Sequence, residues 1–186
     1  MEKELFGSKI ACGNSDRARP QTDFYPTPPE VTYALLDFLD LPKETLLWDC
    51  ACGQGDMMDA FGKKGYKNIG TDILYGTDFL TCDHAFGADW IITNPPFSQA
   101  EQFIEHCFEL GVPFALLLKS QFWHARRRLR VFQKYQPSYV LPLTWRPDFL
   151  FREDGKHGAP LMEVIWCVWN GDGAKNLTIY QPLDRP

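Results

Sequence analysis

Pro95 and Pro96 stand directly behind an apolar run, Trp90-Ile91-Ile92-Thr93, and neither a strand nor a helix can continue through them. Proline fixes φ near about −65°, carries no N–H, and drives the residue before it out of the helical region. Asn94-Pro95-Pro96-Phe97 is therefore a rigid corner at the end of a strand, with the carbonyls of Asn94 and Pro95 outside any ladder. Those oxygens, with the Asn94 amide oxygen, make an acceptor pocket suited to a planar amino group on an aromatic base or an amide. Phe97 offers a flat apolar face for stacking, as aromatic side chains do for splayed bases. The plainer alternative is a strand closed by a Pro-Pro turn, with Phe97 filling the core.

The segments around this corner alternate. Thr27-Pro28-Pro29-Glu30 predicts a helix start with prolines in its first turn, continued by Val31, Leu35, Leu36 and Leu39 at helical spacing. Leu46-Leu47-Trp48-Asp49-Cys50 reads as a short strand ending in an acid, followed by a glycine turn and a helix to Lys64. Apolar runs bounded by turn residues give further strands at Asn68 to Ile73, Asp78 to Leu80 and Asp89 to Thr93. Gln99 to Leu110 carries Phe103, Ile104, Cys107 and Phe108 on one helix face, and Phe114 to Leu118 reads as a strand buried on both sides. Gln121 to Tyr135 is the next expected helix. Tyr139-Val140-Leu141, Phe149-Leu150-Phe151, Val164 to Val168 and Leu177 to Tyr180 then read as strands without long helices between them, so the sheet should finish antiparallel. This order predicts a doubly wound α/β fold with a modified edge.

With 186 residues the chain suffices for one packed domain. Residues 1–23 show no periodicity and read as a flexible amino-terminal arm, with order beginning at Phe24. The absence of a long uncharged apolar stretch or an apolar signal core predicts no membrane span and a cytoplasmic location. The six cysteines, Cys12, Cys50, Cys52, Cys82, Cys107 and Cys167, lack zinc-site spacing and read as free thiols, with no metal expected. Cys82-Asp83-His84 has no third partner to make it a nucleophile or a metal fragment.

The turn Asp49-Cys50-Ala51-Cys52-Gly53-Gln54-Gly55 lets a ligand approach the backbone between strand and helix. The third glycine of a dinucleotide fingerprint is replaced by Met58, and the Asp49 carboxylate would repel a phosphate but suit an ammonium group. Asp72, at the second strand tip, is placed to accept from two ribose hydroxyls. Asp78-Phe79 can hold an exocyclic amine and the face of an adenine. These demands describe a nucleoside bearing a cationic amino acid and no phosphate, which is S-adenosylmethionine.

In these segments the chain resembles the S-adenosylmethionine-dependent DNA N6-adenine methyltransferases, in the small form common in phages and prophages. The resemblance runs from Phe24 to Phe97 and more faintly to Trp169. Tyr25, Thr27 and Pro28 match the family's amino-terminal cofactor segment. Asp49, Ala51, Cys52, Gly53 and Gly55 match its glycine loop, Asp72 and Ile73 its acidic strand, Asp78 and Phe79 its adenine pair, and Asn94 to Phe97 its catalytic tetrapeptide. The resemblance implies a Rossmann-like class I methyltransferase fold over residues 24–186, with strand order 3-2-1-4-5-7-6 and an antiparallel carboxyl-terminal hairpin. No separate target-recognition domain of the usual size is visible.

A net charge of −5 argues against a protein coated in positive charge, so a nucleic-acid surface must be local. Arg126, Arg127, Arg128 and Arg130, with Lys119 before them and Arg146 after, form the candidate phosphate-binding face; a solvated helix face is the alternative. Duplex DNA is the expected partner, with an RNA amine or a protein glutamine amide as alternative acceptors. An inactive cofactor-binding module is a more distant possibility. A monomer or weak dimer is expected.

Overall fold

The computed structural model describes residues 25–149, 162–171 and 177–186. Helix α1 (Pro29–Leu39) precedes strand β1 (Leu46–Asp49); α2 (Asp56–Lys63) leads to β2 (Lys67–Gly70), and β3 (Trp90–Thr93) to α3 (Ala100–Leu110) and β4 (Phe114–Lys119). Helix α4 (Leu129–Lys134) and strands β5 (Tyr139–Pro142), β6 (Val164–Trp169) and β7 (Ile179–Tyr180) complete the order. The strands form one sheet, β2-β1-β3-β4-β6-β5-β7. The first four are parallel, β6 runs antiparallel between β4 and β5, and β7 pairs parallel with β5 at the edge.

Local chemistry explains the elements. Pro29 opens α1 in the first turn, where a missing N–H costs no hydrogen bond. Strand β4 is buried throughout from Phe114 to Leu118, because helices cover both faces of the sheet. Ala115 and Leu117 pack with Val31, Leu35, Phe61 and Trp166 on one face, while Leu116 and Leu118 pack with Trp48, Phe103, Ile104 and Cys167 on the other. Burying each such leucine contributes about 1.5–3 kcal/mol.

Three expectations are corrected. Asp78 to Leu80 forms no strand: the Asp78 carboxylate accepts the Leu80 N–H at 3.0 Å and winds Phe79–Thr81 into a 3-10 turn, a local bond that competes with a ladder. The expected order 3-2-1-4-5-7-6 therefore loses its outermost strand, and β7 supplies a seventh at the opposite edge. Gln121 to Tyr135 is not one helix. Extended backbone at Ala125 (φ −94°, ψ 124°) separates 3-10 turns at Ser120–His124 and Arg126–Arg128, and α4 follows. Phe149 is buried but belongs to no strand. Leu150 and Phe151, Cys12, and the arm 1–23 with Phe24 lie outside the described residues.

Candidate active site

The parallel strands end on one side of the sheet, and between β1 and β3 the chain order reverses. Crevices at such switch points are where doubly wound sheets bind ligands. A cavity of ≈430 Å³ opens there, within the roughly 300–1,000 Å³ range of small-molecule sites. Its walls come from Tyr25, Pro26 and Thr27, from Asp49 to Cys52 with Gln54, Asp56 and Met57, and from Asp72 to Leu74. Asp78, Phe79, Asn94, Pro96, Gln99 and Phe103 complete them. Four aspartates line it and no lysine, arginine or histidine does, so its field repels phosphate and attracts a cation.

Asn94 stands at the corner after β3. Its Nδ2 donates to the Tyr25 carbonyl at 3.2 Å and to Thr27 Oγ1 at 3.0 Å. A carbonyl only accepts, so the nitrogen must face Tyr25 and the oxygen must face the other way. That Oδ1 is shielded from water and finds no donor among the described residues. An orphaned buried acceptor costs about 1–3 kcal/mol, which an incoming N–H would recover.

Asp49 ends β1 and is 2% exposed. Its Oδ1 accepts the Thr93 hydroxyl at 2.6 Å and the Ala51 N–H at 3.3 Å. Burial pushes its carboxyl up to about 7 against these stabilising bonds, and the charges of Asp72 and Asp56 add to the rise. Asp72 is fixed by two backbone donors, Gly53 N–H to Oδ2 and Leu74 N–H to Oδ1, each at 2.8 Å. Gly53 (φ 51°) and Gly55 (φ 94°) lie in the left-handed region, which bends the turn so that its backbone meets Asp72. Phe79 lies against Phe103, 4.6 Å between ring centres, and presents its remaining surface to the cavity. Burial pushes the Cys52 thiol up to about 11, and Cys50 rises for the same reason, so neither carries a ready thiolate nucleophile.

Of the residues singled out in the sequence, Tyr25, Thr27, Asp49, Ala51, Cys52, Asp72, Ile73, Asp78, Phe79, Asn94 and Pro96 share the cavity wall. Pro28, Gly53, Gly55, Pro95 and Phe97 are not among its lining residues, and Phe97 borders a smaller neighbouring hollow with Lys119 and Arg128. The Phe97 ring lies 5.9 Å from that of Tyr25, tilted by 34°, and Lys119 Nζ sits 4.5 Å from its centre. Gln54, Asp56, Met57, Gln99, Phe103 and the Thr93 hydroxyl were not anticipated. Asp56 and Met57 open α2, so their place in the first turn after a glycine loop was the available signal.

The basic residues divide. Arg126, Arg127 and Arg130 are exposed, with Arg127 Nε 3.7 Å from Glu101 Oε1, whereas the Arg128 side chain is 16% exposed, bonded to the same Glu101 Oε1 at 3.1 Å and to the Phe122 carbonyl at 2.7 Å. Arg146 pairs with Glu163 at 2.7 Å. No group of three or more His, Cys, Asp or Glu side chains among the described residues is arranged to hold a metal ion. No described helix is long and apolar enough to cross a membrane.

No protein-family model and no curated protein sequence matches the chain. Solved structures do match. One is assigned as a modification subunit of a type I restriction enzyme from Vibrio vulnificus (TM-score 0.59, 13% identity), covering 86% of this chain and 47% of that one. Another is the methyltransferase subunit of a type I restriction-modification system from Streptococcus thermophilus (TM-score 0.56, 13% identity), covering 82% and 46%. A third is a SAM-dependent O-methyltransferase from Thermotoga maritima (TM-score 0.53, 14% identity), covering 79% and 67%. The chain thus spans about half the length of the two restriction-modification subunits. Its fold is the Rossmann-like class I methyltransferase fold.

Proposed function

We propose that the chain transfers a methyl group from S-adenosylmethionine to the N6 amino group of a flipped-out adenine in DNA. The observation that carries this reading is the orphaned Asn94 Oδ1, held at the wall of a cavity lined by four aspartates and no cationic side chain. The cofactor fits that wall. Asp72 would accept the ribose hydroxyls, Asp78 and Phe79 would take the adenine, and Asp49 would face the cationic amino-acid end. Bound there, S-adenosylmethionine supplies an electrophilic methyl group.

The residues of the chain then do the rest by placement. An adenine amine is a weak nucleophile because its lone pair is delocalised into the ring. Asn94 Oδ1 and the Pro95 carbonyl accept its two N–H bonds and favour a more tetrahedral nitrogen. Holding reactants at near-attack distance can contribute about 7–11 kcal/mol of barrier reduction. No covalent enzyme intermediate is needed, which agrees with the raised thiols of Cys50 and Cys52. Extruding the base costs a few kcal/mol, and stacking on Phe97 offsets about 1–3 kcal/mol of it. Exposed Arg126, Arg127 and Arg130 would contact phosphates.

The net charge of −5 favours a second reading, the same transfer to an RNA amine or a glutamine amide. Incubation with labelled cofactor and duplex DNA, RNA or cell extract separates the two. Label in N6-methyladenine of DNA is expected, and label confined to RNA or protein overturns the DNA reading.

A further inference from the structure

A second hollow, ≈770 Å³ in volume, lies on the other half of the sheet, between the turn after β4 and the strands β5, β6 and β7. Four aromatic side chains line it: Trp123, Phe132, Trp145 and Tyr180. His124 and Arg146 stand among them, and the segment that brings His124 and Phe132 to the wall also carries the exposed Arg126, Arg127 and Arg130. Arg146 is paired with Glu163, which also lines the hollow, so the excess positive charge comes from the arginine run. Aromatic faces with arginines beside them form the surface on which bases stack while phosphates are gripped.

Two further observations bear on the occupant. Trp145 Nε1–H is shielded from water and finds no acceptor among the described residues, so an occupant carrying an acceptor such as a ring nitrogen or a base carbonyl would gain a hydrogen bond there. The hollow reaches the same end of the sheet as the candidate active site, although the two share no lining residue. It begins at Ser120, whose N–H bonds the Glu163 carbonyl at 2.9 Å where β4 meets the start of β6. Two strand-to-strand steps separate β3, which ends at Asn94, from β6. At about 4.8 Å per step that is about 10 Å, the rise of roughly three base pairs.

We infer that this hollow is a second base-binding subsite, which takes an unstacked base of the target strand a few nucleotides from the adenine presented to Asn94. The inference rests on the methyltransferase reading above. It supplies a recognition surface within the single domain, formed by the β5–β6–β7 half of the sheet.

The test titrates wild-type protein and the variant Tyr180→Ala with a fluorescein-labelled duplex pool, and measures cofactor affinity by calorimetry on both. Tyr180 is 69% exposed, so its removal leaves the fold intact, and unchanged cofactor affinity verifies this. The expected result is DNA binding weaker by roughly tenfold, in the range of one lost stacked base, with a smaller loss for Trp145→Phe, which keeps a ring and removes the donor. Unchanged DNA affinity and unchanged methylated sequence in the variant overturn the subsite while leaving the functional reading standing. Wild-type protein that binds cofactor but neither binds nor methylates DNA overturns both. Tighter binding of single-stranded RNA than of DNA overturns the DNA form of the proposal.

Discussion

Thr27 Oγ1 accepts a hydrogen bond from Asn94 Nδ2 at 3.0 Å, joining residues 67 positions apart. With the Tyr25 carbonyl, it decides which end of the amide is left over. Thr27→Val removes one of the two acceptors and lets the amide turn, so turnover should fall by about tenfold, in line with one lost buried hydrogen bond. Thr27→Ser should restore it. Equal turnover in Thr27→Val and wild type would show that amide orientation does not matter.

Asn94→Ala removes the proposed acceptor. Methyl transfer should drop by about 10²–10³, the scale for losing one preorganised hydrogen-bonding group, while calorimetric cofactor affinity stays within about twofold. Full activity in this variant would end the catalytic assignment of the tetrapeptide.

Asp49 sets a pH dependence. Its folded carboxyl titrates near 7 against an ordinary 3.8, so between those values the folded state holds more protons than the unfolded one. Stability from this group is therefore greatest below about pH 4 and declines as pH rises through 7, by about 4 kcal/mol at most. Thermal melts of ligand-free wild type and Asp49→Asn from pH 5 to 8 should show the wild type losing ground as pH rises. Affinity for the cationic cofactor should move the opposite way, increasing through pH 7, and a flat profile would remove Asp49 from the binding model.

Asp72→Ala should raise the cofactor dissociation constant by more than about tenfold. It should also lower the melting temperature, because the N–H groups of Gly53 and Leu74 lose their acceptors. Normal calorimetric affinity in this variant would contradict a ribose-binding role.

The arginine run should separate by function. Replacing Arg126 and Arg127 with alanine should flatten the salt dependence of DNA binding by about 0.9 for each phosphate no longer neutralised. Arg128→Ala should instead destabilise the protein, since its side chain is bound to Glu101 and the Phe122 carbonyl. An unaltered salt slope in the double variant would take the patch out of the DNA interface.

The first half of the fold was legible because Leu47, Ile91 and Leu116 sit in apolar runs too short for helices and bounded by turn residues. Asp49 and Asp72 were legible as neighbours because the parallel strands β1 and β2 bring their carboxyl ends to one edge, while Asp78 joins them from the cap of a 3-10 turn. The turn at Phe79–Thr81 was not, since an apolar pair after an acid fits a short strand as well as a capped 3-10 turn. The break at Ala125 gave no signal, because alanine is a good helix former and the arginines around it carry no apolar period. Gln99 and Phe103 reach the cavity from the start of α3, and Thr93 holds the cavity residue Asp49 by a hydroxyl contact between β3 and β1, relationships that arise only when the sheet is assembled.

The ammonium of Lys119 resting over Phe97 has a consequence for the order of events at the corner. One side of that ring is taken, so a flat guest settling there must first evict a cation, and the groups best able to receive it are phosphate oxygens. Capture of a nucleic-acid backbone and uncovering of the stacking surface would then be a single exchange.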